Sequence, residues 1–137
     1  MTRAPAVLVG LLDRLAVEQR DLRRLAQVAM DDLLVDIDRM KSVKYSFVIA
    51  IEVCIDICQH LVSRNRLRAP ESFADAFAVL AEGGVIDGPL AAALADMAKF
   101  RNLLVHGYAR VDDNQVLAIP HARLDDLDAF SRSVSAM

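Results

Sequence analysis

The sequence predicts an all-α protein, an up-and-down bundle of four to five helices in one domain over residues 1–137. Three observations lead there. Apolar residues recur at three- and four-residue steps along most of the chain, the period of helices with one buried face. Glycine and proline number only 5 and 4, and several stand where a helix would start or stop. Aromatic residues make up 5% with no Trp, which argues against an aromatic-rich β-sandwich or a base-stacking RNA platform. A composition of 55% hydrophobic and 26% charged residues excludes a disordered chain. A domain of this length buries enough surface to fold without disulfides or metal. The net charge of −3 supplies no global positive field to draw in nucleic acid.

Leu8, Leu11, Leu12, Leu15, Leu22, Leu25, Val28, Ala29, Leu33 and Ile37 step mostly at helical spacing, which predicts a long amphipathic helix broken once between about Met30 and Asp36, with Lys41 and Ser42 as punctuation. Lys44 to about Ser63 is the most apolar segment and reads as a central helix by its length. Glu52, Asp56, Gln59, His60 and Ser63 form one polar ribbon along it. Spacing leaves two readings of that ribbon open: a solvated face, or the lining of a cleft. Arg64 to Pro70 is a basic connector. Ser72 is placed to cap a helix that ends at Gly83-Gly84, and Asp87-Gly88-Pro89 opens the next one. Val111 to Pro120 reads as an extended connector with a turn at Asp112-Asp113-Asn114, and Leu124, Leu127, Phe130 and Val134 mark a closing helix.

The longest stretches without a formal charge, Ala4 to Leu12 and Asn114 to Ala122, are shorter than the roughly 20 apolar residues of a membrane span. Asp13 and Arg14 interrupt any resemblance to a signal peptide, so a cytoplasmic protein without membrane attachment is expected. Cys54 and Cys58, four apart on a helix, are expected to be buried free thiols; a metal pair would need further ligands. His121 is expected at the surface, and His60 with Asp56 offers too few ligands for a metal site.

The segment Lys99-Phe100-Arg101-Asn102-Leu103-Leu104-Val105-His106-Gly107-Tyr108 carries the chemistry. On a regular α-helix Met97, Phe100, Leu103, Leu104 and Gly107 share the core arc. Arg101, Asn102 and His106 fall outside it, Asn102 and His106 as an i, i+4 pair. A guanidinium can neutralise a phosphate, an imidazole can move a proton on a ribose oxygen, and an amide can hold either the ring or the substrate. The same spacing also suits a plain helix end, where Arg101 and His106 compensate the dipole and Gly107 caps.

This segment resembles the RNxxVHxY signature of the HepT-like toxins in the HEPN ribonuclease superfamily, whose hallmark is an Arg and a His with four to six residues between them and a polar residue after the Arg. Ala50-Ile51-Glu52, Asp56-Ile57 and His60 resemble the central helix of that family, and Phe73 to Phe77 with Gly84-Val85-Ile86 resembles its next segment. The likeness covers Lys44 to Tyr108; the first 40 residues match only in helical character.

The resemblance implies a HEPN-like fold and a metal-independent endoribonuclease toxin, with Arg101 and His106 as catalytic pair and Asn102 as polar accessory. It implies no metal and no cofactor. The partners implied are RNA as substrate, a nucleotidyltransferase antitoxin that adds AMP to Tyr108, and a second copy of the chain in a homodimer with the cleft at its interface, open to higher assembly. Glu52, Asp56 and His60 are candidates to line that cleft. Local cations, Arg101 on each copy with Arg64, Arg66 and Arg68, would meet phosphate despite the acidic total. The scarcity of aromatics implies RNA held by its backbone, with little base stacking beyond Tyr108. The alternatives are a non-catalytic helical module that holds substrate or nucleotide for a nucleotidyltransferase, and a structural dimer without an active site.

Overall fold

In the computed structural model, which describes residues 6–107 and 111–137, the chain is a bundle of helices with no strand among the described residues. They are α1 (Ala6–Leu25), α2 (Met30–Val35), α3 (Ile37–Arg64), α4 (Phe73–Glu82), α5 (Gly88–Asn102), α6 (Asp113–Ala122) and α7 (Leu124–Ser135), with a π turn at Leu103–Gly107 continuing α5. The expected all-α bundle is found, and the count among the described residues rises to seven because the break after α1 holds a short helix and a segment read as connector is helical.

Helix α3 is the axis of the bundle and packs against α1, α4, α5 and α6. It is long and apolar enough by length and composition to cross a bilayer, yet 61% of its most apolar window is buried in the bundle. Its apolar side chains serve as core: Phe47, Ala50, Ile51, Cys54, Ile57 and Cys58 are fully buried. The helix starts at Ile37, seven residues before the sequence reading placed it. Asp36 caps it by accepting from the Arg39 N–H at 3.1 Å. Ser42 does not punctuate, because its hydroxyl donates back to the Asp38 carbonyl at 3.0 Å and so stays inside the ladder.

Two apolar clusters result. The larger unites α1, α3, α4, α5 and α7, with Phe77 and Phe130 meeting edge-on at 5.9 Å. The smaller gathers Leu25, Leu33, Met40, Val43, Val116 and Leu117 at the α2–α6 end. Phe100 and Leu104 pack against both clusters, which anchors the end of α5 from two sides. At the opposite edge Asp128 accepts from Gln19 and Arg23, each at 2.7 Å, tying α7 to α1. Cys54 and Cys58 are buried and free, as expected.

Helix α6 corrects the expected extended connector. Asp112 accepts the Asn114 N–H with its carboxylate at 2.9 Å, and its carbonyl accepts from Gln115 and Val116. The turn chemistry at Asp112-Asp113-Asn114 is therefore a helix cap. Pro120 lies in the last turn of α6, where its missing N–H removes one hydrogen bond, and it is buried with Val116 and Leu117 along the same face.

Candidate functional site at the end of helix α5

The elements around the site end in matching ways. At the end of α3, Arg66 takes a left-handed backbone (φ 54°), and the Leu67 N–H donates to the Val62 carbonyl at 3.0 Å. At the end of α4, Gly84 does the same (φ 77°), with the Val85 N–H donating to Leu80 at 2.9 Å. Both are six-to-one helix terminations, and only the second uses the expected glycine. They pack together: a Cβ on Gly83 would stand 3.0 Å from the Leu67 methyls.

The connector between them is pinned to α4. The Arg68 guanidinium donates to both carboxylate oxygens of Asp75 (2.7 and 2.9 Å) and to Glu82 (2.6 to 3.1 Å). Hydrogen bonds from Arg68, then from the Glu71 N–H, pull the Asp75 carboxyl down to about 2, and Arg68 lowers Glu82 in the same way. Arg68 is thus committed within the chain, which corrects its expected role as a free cation. Arg64 and Arg66 remain exposed. Ser72 caps α4 by accepting from the Asp75 N–H at 3.0 Å, as the sequence predicts.

Arg101 stands one residue before the end of α5 with a side chain only 13% exposed. Its Nη2 donates to Glu52 Oε1 on α3 at 2.5 Å, and its Nη1 donates to Asn102 Oδ1 at 3.0 Å. The guanidinium carbon lies 5.8 Å from the centroid of the Phe73 ring, the first residue of α4, within cation–π range. The buried Nε–H has no partner among the described residues. Three helices therefore fix one guanidinium, and Nη1 and Nη2 each keep one N–H beyond the bonds to Asn102 and Glu52.

Asn102 is exposed and engages Arg101. His106 is exposed on the π turn. The expected i, i+4 pairing of Asn102 with His106 presumed a regular helix, and the widened turn from Leu103 shifts that phase. In an α-helix, residues five apart point about 140° from each other. A turn closed from i to i+5 rotates less per residue, and the π turn at Leu103–Gly107 carries His106 just beyond Arg101. Tyr108 lies outside the described residues.

On α3, the polar ribbon divides. Glu52 joins the site. Asp56 is exposed, and His60 is half-buried with an Nε2 atom that is buried and unpartnered among the described residues. No hydrogen bond or ion pair links either of them to Arg101. His121 is exposed, as expected, with Nδ1 3.1 Å from the Leu117 carbonyl. Phe73 is the site residue that sequence reasoning missed. It is in helical phase with Phe77 and Leu80, so periodicity alone assigns it to the core. The structure leaves it 43% exposed.

Comparison with known proteins bears on this geometry. A family model described as ribonuclease HepT-like matches residues 16–134. The mRNA nuclease HepT of Shewanella oneidensis is 29% identical over 128 residues, covering 92% of this chain and 96% of that protein. The tRNA nuclease HepT of Aphanizomenon flos-aquae is 23% identical over 132 residues, covering 96% of this chain and 90% of that one. Among solved structures, the tri-AMPylated HEPN toxin of Shewanella oneidensis in complex with its MNT antitoxin superposes with a TM-score of 0.91 at 23% identity, over 98% of this chain and all of that one. That likeness carries the fold.

Proposed function

Because this chain belongs to the ribonuclease HepT-like family, we propose that it is the toxin of a toxin–antitoxin pair and cleaves RNA internally without a metal. Arg101 and His106 are the catalytic pair, with Asn102 as the polar accessory. The observation that carries this reading is the guanidinium of Arg101, fixed by Glu52, Asn102 and Phe73 and followed by a π turn that carries His106. A pre-positioned cation is what a phosphodiester needs as its charge grows in the transition state.

The reaction that fits is attack by a ribose 2′-hydroxyl on the adjacent phosphorus. A base takes the 2′ proton, the O2′–P bond forms, the P–O5′ bond breaks, and an acid returns a proton to the departing 5′ oxygen. The products are a 2′,3′-cyclic phosphate and a 5′-hydroxyl end. His106 on one chain supplies one proton carrier. A two-fold homodimer that brings two copies of this helix end together supplies the second, with Arg101 from both chains. Glu52 acts here as a positioning residue. Asp56 and His60 extend the same face of α3 toward the cleft.

The partner that restrains the toxin is a nucleotidyltransferase antitoxin. AMP groups added to Tyr108, two residues beyond His106, place bulk and negative charge beside the catalytic pair and repel RNA phosphate. The HepT relatives named as mRNA and tRNA nucleases and the AMPylated HEPN toxin support this reading. The protein then works in the cytoplasm, where both RNA and antitoxin are found.

Purified protein incubated with total RNA in EDTA tests the catalytic assignment. Wild type should cleave, and Arg101→Ala and His106→Ala should each lose activity by at least a hundredfold, the usual scale of an acid–base group. RNA left intact by wild type, or cut equally by both variants, would leave the non-catalytic module that serves a nucleotidyltransferase. Co-expression with a nucleotidyltransferase antitoxin followed by mass spectrometry should show AMP on Tyr108. Full neutralisation with an unmodified Tyr108 means that complex formation alone restrains the toxin.

A further inference from the structure

The Phe73 ring belongs to neither apolar cluster and is 43% exposed, although it sits in the first turn of a helix whose next apolar residues are buried. Its backbone is fixed on both sides. Ser72 caps the Asp75 N–H, and the Asp75 carboxylate accepts from the Glu71 N–H and from Arg68. An exposed aromatic residue whose flanking backbone is fixed by four polar contacts is preorganised, which lowers the entropy lost when something binds it. On one side it faces the Arg101 guanidinium at 5.8 Å.

We propose that Phe73 is a nucleobase platform. When an RNA phosphate is gripped by Arg101, the base of a nucleotide flanking that phosphate stacks on the Phe73 ring. The inference rests on the RNA-cleavage reading and adds a base-binding subsite to it. Backbone and base are then held by neighbouring groups, a cation for the phosphate and a π face for the base. Every base has a π face, so the platform accepts all four and favours purines modestly by their larger stacking area. This amends the sequence-based expectation of little base stacking beyond Tyr108. Arg68 enters as a positioning residue that holds the platform, although its own charge is spent on Asp75 and Glu82.

The test uses full-length protein and short RNA oligonucleotides carrying either normal bases or abasic sites on both sides of the cleaved bond. Phe73→Leu should raise KM on normal RNA on the order of tenfold, the scale of one stacked base, and Phe73→Trp should restore it. On abasic RNA wild type and Phe73→Leu should have the same KM. An equal loss on abasic RNA, or a loss confined to kcat, would overturn the proposal and leave Phe73 as a clamp on Arg101. Circular dichroism melts of the variants check that the fold is kept. Binding of RNA containing 2-aminopurine gives a readout independent of cleavage: wild type should quench its fluorescence and Phe73→Leu should not. Quenching by wild type without cleavage removes the catalytic reading and keeps the platform. Equal quenching by both proteins, or no binding by wild type, removes the platform.

Discussion

Glu52 on α3 and Arg101 on α5 lie 49 positions apart in the chain and meet at 2.5 Å. The carboxylate comes from the helix that carries the largest share of the core, so the orientation of the guanidinium follows the packing of the bundle. Replacing Glu52 by Gln keeps size and an acceptor oxygen but removes the charge that holds Arg101. Cleavage should fall on the order of tenfold in kcat, about 1.4 kcal/mol of barrier. Stability should change by less than about 1 kcal/mol, because the Glu52 side chain is 38% exposed and such pairs are screened. Steady-state kinetics beside a thermal melt separates the two effects, and an unchanged kcat removes Glu52 from the site.

The Arg68 cluster makes stability depend on acid in a defined direction. Asp75 is held at about 2 in the folded chain against an ordinary 3.8, and Glu82 is lowered as well. A lowered carboxyl stabilises the fold above its unfolded pKa and loses that contribution as pH falls through its folded pKa. The difference in melting temperature between wild type and Arg68→Ala should therefore be constant above about pH 5 and vanish toward about pH 2. A difference that persists to pH 2 would place the contribution of Arg68 elsewhere.

Arg66 occupies a left-handed position at the end of α3, where a Cβ is strained and glycine is favoured. Arg66→Gly should raise stability by about 0.5–1 kcal/mol, after allowing for the greater freedom of glycine in the unfolded chain. Chemical denaturation reads this directly. A destabilised variant would show that the Arg66 side chain makes contributions beyond its backbone.

Burial pushes both cysteine thiols up, Cys54 by desolvation alone and Cys58 by desolvation with the neighbouring Cys54 adding to it. Neither forms appreciable thiolate in the native state near neutrality. Native protein at pH 8 should react with a disulfide reagent only at the slow rate of unfolding or local opening, and should release two equivalents once denatured. Rapid native reactivity would contradict the packing of α3.

Where the signal was local, the chain could be read directly. Ser72, Asp87 and the Gly83-Gly84 pair cap within three residues of themselves, so the bounds of α4 and the start of α5 followed from side-chain chemistry. The same chemistry misled at Asp112-Asp113-Asn114, because a turn and a helix cap use the same residues until burial of Val116 and Leu117 decides between them. Arg101, Asn102 and His106 announced themselves by type, and Glu52 by its place on the polar ribbon. Their mutual orientation did not, since it depends on a π turn that a fixed 100° step does not foresee. Phe73 was hidden for the opposite reason: its periodicity was regular and its environment was not.

The π turn at Leu103–Gly107 makes the count of residues between Arg101 and His106 a poor ruler for whether they face each other. Deleting one residue from this turn would close it as ordinary α-helix and leave each later side chain near its present direction, since a π turn is an α turn with one residue added. Adding one to a regular helix at that point would do the reverse. Turn width thus works as a vernier: chains that differ by a residue in this interval can still present the same two groups to one phosphate, provided the surplus is taken up as girth in the helix.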